Sequence, residues 1–133
     1  MPDRANDNSQ KPLSGARCLV LDDDLLIALD IEQLLRAAGA SVVACVGNVA
    51  DAVVALQNET PFTVAVLDIA LGGSDDGVAV AALLQQRNIP FVFLTGMGGN
   101  DPRALRYPEA PVVDKPYQLD ELLAALRRAL RRR

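Results

Sequence analysis

The sequence predicts an α/β fold, a doubly wound five-stranded parallel sheet with helices on both faces. Five short apolar runs alternate with segments of helical hydrophobic spacing, and the connections between them are short. The better-formed runs are continuously apolar, as expected of strands covered on both sides. The chain has 133 residues, half of them hydrophobic, enough for one core but for fewer units than a large barrel needs.

Residues 1–16, MPDRANDNSQKPLSGA, are polar and are expected to form a disordered lead-in outside the fold. Arg17 to Leu21 is the first strand and stops at Asp22, Asp23 and Asp24. In the helix that follows, Ile27, Ile31, Leu34, Leu35 and Ala38 share one face, and Gly39 closes it. The second strand, Ser41 to Val46, leads to Asn48, an N-cap for a helix through Leu56 with Asp51 three residues on. Thr63 to Leu67 is the third strand and runs into Asp68. Asp75 and Asp76 lie nearer than Asp68 to the next helix, Val78 to Gln86, and suit its capping better.

Pro90 precedes the fourth strand, Phe91 to Leu94, which ends at Thr95 and Gly96. Glycines and prolines between Gly96 and Ala110 leave room for a short helix, Pro102 to Arg106, in the weakest unit of the chain. With few apolar anchors, that segment is the cheapest part of the fold to rearrange. Pro111 to Val113 is the fifth strand, and Asp114, Lys115 and Pro116 follow it. Leu119, Leu122, Leu123, Leu126 and Leu130 mark one stripe of a final helix. Right-handed crossovers then favour the flavodoxin-like strand order 2-1-3-4-5, with the fourth helix short or irregular.

Composition narrows the chemistry. A formal charge of −4 and 4% aromatic residues argue against a nucleic-acid surface. No apolar run approaches the roughly 20 residues of a membrane span and no leader is evident, so a cytoplasmic protein is expected. Cys18 and Cys45 have no metal-binding spacing and are expected to be reduced and buried. With no histidine in the chain, only hard oxygen ligands remain for a cation, which points to magnesium.

In a parallel sheet all C-terminal strand ends lie along one edge, so Asp22, Asp23, Asp68, Thr95 and Lys115 should converge there. Carboxylates gathered without compensation repel one another, and a divalent cation resolves this. Asp23, Asp68 and the backbone carbonyl of Ala70 are the candidate magnesium ligands. A carboxylate nucleophile beside a metal, an ammonium and a hydroxyl is the equipment of phosphoryl transfer to an aspartate.

LVLDDD at the first strand, VAVLDIAL at the third, VFLTG at the fourth and VVDKPY after the fifth resemble the receiver domain of two-component response regulators, in the family's order and over Arg17 to Leu130. The resemblance implies that Asp68 is the phosphoacceptor for a histidine kinase or histidine phosphotransfer protein. It makes Asp22 and Asp23 the acidic pair that holds magnesium, Asp23 being the more direct ligand. Thr95 and Lys115 match the hydroxyl and lysine that read the phosphorylated state, and the bond from Lys115 to Pro116 is commonly cis in the family.

The chain departs from many receivers at Val112, where an aromatic switch residue usually stands. The strand end FVFLTG resembles a stand-alone alphaproteobacterial subgroup marked by Phe-Ala-Thr-Gly, although Leu94 replaces the Ala and Met97 and Gly98 follow. Some members of that subgroup serve general stress signalling. No output domain is expected beyond the receiver at residues 17–130, only the basic tail 131–133, so the output would be contact with an unknown protein target or onward phosphotransfer. Arg127, Arg128 and the tail either dock an acidic partner or complement the helix C-terminus.

Two other readings share these residues. One is a receiver-shaped docking module that is never phosphorylated. The other is a phosphatase of the haloacid dehalogenase type, which normally has a cap and a second acid where Ala70 stands.

Overall fold

The computed structural model describes residues 11–69, 76–96 and 100–131, and within them the side chain of Asp76 is not described. The element order is β1 (Arg17–Leu21), α1 (Leu25–Ala37), β2 (Val42–Val46), α2 (Val49–Leu56), β3 (Val64–Asp68), α3 (Asp76–Gln86), β4 (Phe91–Thr95), α4 (Pro102–Leu105), β5 (Val112–Asp114) and α5 (Leu119–Arg131). The five strands pair in parallel in the order β2-β1-β3-β4-β5, so β1, β3 and β4 are flanked on both sides. Chain reversal between β1 and β3 creates the crevice at which α/β sheets of this topology bind ligands.

Side chains alternate across the sheet and feed two cores. Cys18, Val20, Val64, Val66, Val92 and Leu94 pack with Ile31 and Leu35 of α1 and Leu122 and Leu126 of α5. On the other face Leu19, Leu21, Leu67 and Phe93 meet Ala52 and Leu56 of α2, Val80 and Leu84 of α3, and Ala104 of α4. Each fully buried Leu, Val or Phe contributes about 1.5–3 kcal/mol of transfer free energy. Removing water from both faces of β1, β3 and β4 therefore fixes their ends rigidly. The site is built on those ends.

Local signals set the boundaries. Asp24 accepts from the N–H groups of Leu26 and Ile27 and starts α1, and Asn48 accepts from the N–H of Asp51 and starts α2. The expected capping by Asp75 and by the Asp76 side chain falls outside the described residues. Parallel pairing carries β3, β4 and β5 to Asp68, Thr95 and Asp114, past the last apolar residue of each run.

Two expectations are corrected. The lead-in does not lie wholly outside the fold, because residues 11–15 form a turn and Leu13 is 1% exposed. The Leu13 N–H donates to Ala38 O, and that of Gly15 to Gly39 O. Gly39 has φ +110°, and a Cβ there would stand 2.9 Å from Ser14 Cα, so glycine both ends α1 and admits this turn. Residues 1–10 are outside the described residues.

The segment after β4 is also better anchored than its composition implied. Ala104 is buried, and the Tyr107 ring packs edge-on against Phe91 at 5.7 Å and tilted against Phe93 at 6.0 Å. Phe93 pairs with Val112 in the sheet, so Tyr107 brings an aromatic ring to the face on which Val112 stands.

Candidate functional site

Four of the five strands deliver groups to the C-terminal edge of the sheet. Asp22 follows β1, with its N–H held by Val46 O at 3.0 Å. Asp68 ends β3 in register with Leu94, and Thr95 ends β4 in register with Asp114. The Lys115 N–H donates to Thr95 O at 2.9 Å, and the peptide bond from Lys115 to Pro116 is cis. The convergence expected from strand order is thus present for Asp22, Asp23, Asp68 and Lys115.

Asp22, Asp23 and Asp68 each place one carboxylate oxygen within 4.8 Å of the others; Asp22 and Asp68 are buried and Asp23 is exposed. Lys115 Nζ stands 3.2 Å from Asp68 Oδ2 and 3.9 Å from Asp22 Oδ2. Among the described residues one ammonium faces these three acids. The backbone carbonyl of Ala70, the remaining expected metal ligand, lies outside the described residues.

The three acids after β1 have different tasks. Asp24 caps α1, while Asp22 Oδ1 accepts from the Asp24 N–H at 2.9 Å. Asp22 Oδ2 is buried without a hydrogen-bond partner. Burial pushes the Asp22 carboxyl above its ordinary range, the Asp24 N–H and Lys115 pull it back, and Asp68 and Asp23 add to the rise. An orphaned anionic oxygen aimed into an acidic cluster is the kind of atom a hard cation satisfies.

Thr95 reaches the edge but donates its hydroxyl to Asp101 Oδ2 at 2.9 Å. Asp101, absent from the expected site, is fully buried and caps α4. Arg103 donates to it from its backbone N–H at 2.9 Å, from Nε at 3.1 Å and from Nη2 at 3.0 Å. The side-chain bonds from Arg103 hold the Asp101 carboxyl below the usual range, against the opposing effect of burial. A visible signal existed, since Asp before Pro is a helix N-cap signature; that its carboxylate would face Thr95 was not readable from spacing.

A close approach locks the strand end to α3. A Cβ on Gly77 would collide with the carbonyl oxygen of Asp68 and stand 2.8 Å from Ile69 Cα. The cysteines take no part. Both are free, and burial pushes Cys18 to about 12 and Cys45, which is only half-buried, to about 11.

The sequence matches the response regulator receiver domain family over residues 18–127. Among curated relatives, the sensor protein TorS of Escherichia coli is 36% identical over 93 residues, 70% of this chain and 10% of TorS. The phyllosphere-induced regulator PhyR of Methylorubrum extorquens is 29% identical over 114 residues, 84% of this chain and 42% of PhyR. The solution structure of SdrG from Sphingomonas melonis superposes with a TM-score of 0.72 at 34% identity, covering 90% of this chain and 98% of SdrG. The chain therefore spans well under two thirds of these curated relatives but nearly all of the SdrG chain. The family match touches every strand and helix of the sheet, and the chain belongs to the response regulator receiver domain family.

Proposed function

We propose that the protein accepts a phosphoryl group on Asp68 from the phosphohistidine of a histidine kinase or phosphotransfer protein, and passes the signal on by protein contact or further transfer. The observation that carries this is the placement of Lys115 Nζ 3.2 Å from Asp68 Oδ2 beside two further carboxylates. An Asp68 oxygen attacks phosphorus, the bond from phosphorus to the imidazole nitrogen breaks, and the imidazole keeps the electron pair. Lys115 offsets charge on the phosphoryl oxygens, and the Thr95 hydroxyl reads them after transfer.

The three-carboxylate donor set and the orphaned Oδ2 of Asp22 fit magnesium. Asp23 and Asp68 would hold it with the Ala70 carbonyl, Asp22 supporting them. When bound, the ion supplies positive charge to the phosphoryl oxygens. A docking module that is never phosphorylated would have no use for Lys115 and two acids gathered about a buried Asp68.

The setting we propose is a cytoplasmic phosphorelay of the Phe-Ala-Thr-Gly type, linked to stress signalling. Support comes from the likeness to the solved structure of PhyR, a stress response regulator. Among the described residues no helix is long and apolar enough to cross a membrane.

The test is transfer from labelled phosphohistidine proteins of the same genome. Label should move to the wild type and not to Asp68→Asn. Retention by every donor that still phosphorylates another receiver would overturn the reading.

A further inference from the structure

We propose that Asp101 is a positioning residue that holds the Thr95 hydroxyl in the unphosphorylated protein, so that a phosphoryl group on Asp68 must win Thr95 from it and thereby signals to α4. The inference rests on Asp68 being the phosphoacceptor.

A threonine hydroxyl has one proton to donate, and here it goes to Asp101 Oδ2 at 2.9 Å. A phosphoryl oxygen can receive that proton only if Asp101 gives it up. The rest of Thr95 stays in place, because its carbonyl accepts from the Lys115 N–H at 2.9 Å and its backbone pairs with Asp114. Exchange of partners therefore begins with a rotation of the side chain.

Release of Thr95 does not strand Asp101. A carboxylate offers about four acceptor positions. Arg103 fills three of them through its backbone N–H, Nε and Nη2, and Thr95 fills the fourth. With the hydroxyl gone, the buried carboxylate remains paired with its guanidinium. The exchange costs one charge-assisted hydrogen bond and leaves no buried anion unpaired, which makes the arrangement reversible.

The consequence falls on α4. Asp101 is its N-cap, Ala104 is its buried residue, and Tyr107 just beyond packs on Phe91 and Phe93. The hydroxyl of Thr95 is thus a direct link from the acidic edge to the segment that carries the nearby aromatic ring.

The experiment is phosphorylation at steady state against concentration of a small acyl phosphate with magnesium. It compares wild type, Asp101→Ala, Arg103→Ala, Thr95→Ala and the Thr95→Ala/Asp101→Ala pair. Freed of its competitor, Asp101→Ala should reach half-phosphorylation at about tenfold less donor, the worth of one hydrogen bond to a charged group. Arg103→Ala should need more donor than the wild type, because release of Thr95 would then strand the buried Asp101 carboxylate, and this rise, absent from the Thr95→Ala background, decides the matter if Asp101→Ala does not fold. In the Thr95→Ala background, Asp101→Ala should leave the donor requirement where it was. A merely structural Asp101 would raise the requirement or shift it equally without Thr95, and either result overturns the proposal. A phosphorylated wild type with unmoved variants removes this inference alone; a wild type that takes no phosphate removes the assignment of Asp68 and this inference with it.

Discussion

Lys115 Nζ lies 3.2 Å from Asp68 Oδ2, joining the ends of β5 and β3 across the intervening β4. The ammonium both neutralises the acid and repels any cation beside it. Lys115→Met should therefore bind magnesium about 3- to 10-fold more tightly by calorimetric titration, from the loss of a nearby like charge. The same variant should hold about tenfold less phosphate at fixed donor, because the phosphoryl oxygens lose a charge partner.

Gly77 tests how firmly the strand end is seated. Its neighbours are the backbone of Asp68 and Ile69, which cannot swing aside as a flexible side chain would. Gly77→Ala should destabilise by about 2–3 kcal/mol in urea unfolding, as overpacking does, and should weaken magnesium binding by displacing Asp68.

Asp22 should oppose folding when it ionises. Its carboxyl is raised above the ordinary value of 3.8, chiefly by burial, so between that value and the folded one the native state binds more protons than the unfolded. Stability then falls as pH rises through this window and stays lower above it. In magnesium-free melts, Asp22→Asn should exceed the wild type by about 2–5 °C at neutral pH and show no advantage below the ordinary carboxyl range. It should also respond less to added magnesium.

Asp101 carries the opposite sign. Its folded value lies below 3.8, first through the side-chain bonds from Arg103, so its contribution is full above 3.8 and fades as pH falls through the folded value. Asp101→Ala should cost about 2 kcal/mol at neutral pH, the worth of hydrogen bonds to a buried charged group. The gap from wild type should narrow in unfolding curves taken at progressively lower acidic pH.

Much of this was legible because continuous apolar runs and helical stripes are dense signals. The continuous apolar run Cys18 to Leu21 is as expected of a covered strand, and the edge that Asp22, Asp68, Thr95 and Lys115 reach followed from parallel pairing. Strand ends were less legible: Asp68, Thr95 and Asp114 read as loop because they are polar, yet the ladder hydrogen bonds extend to them. A lone apolar residue has no period, so Leu13 in a polar stretch gave no sign of its burial. The bond from Thr95 to Asp101 depends on how the chain returns after β4, and residue types and spacing do not encode that path.

The most direct test of the central claim is the intact mass of the protein after incubation with magnesium and a small acyl phosphate. The wild type should yield a species heavier by one phosphoryl group, absent from Asp68→Asn and lost when magnesium is chelated before the donor is added. A wild type of unchanged mass, or an equal gain on Asp68→Asn, would contradict it.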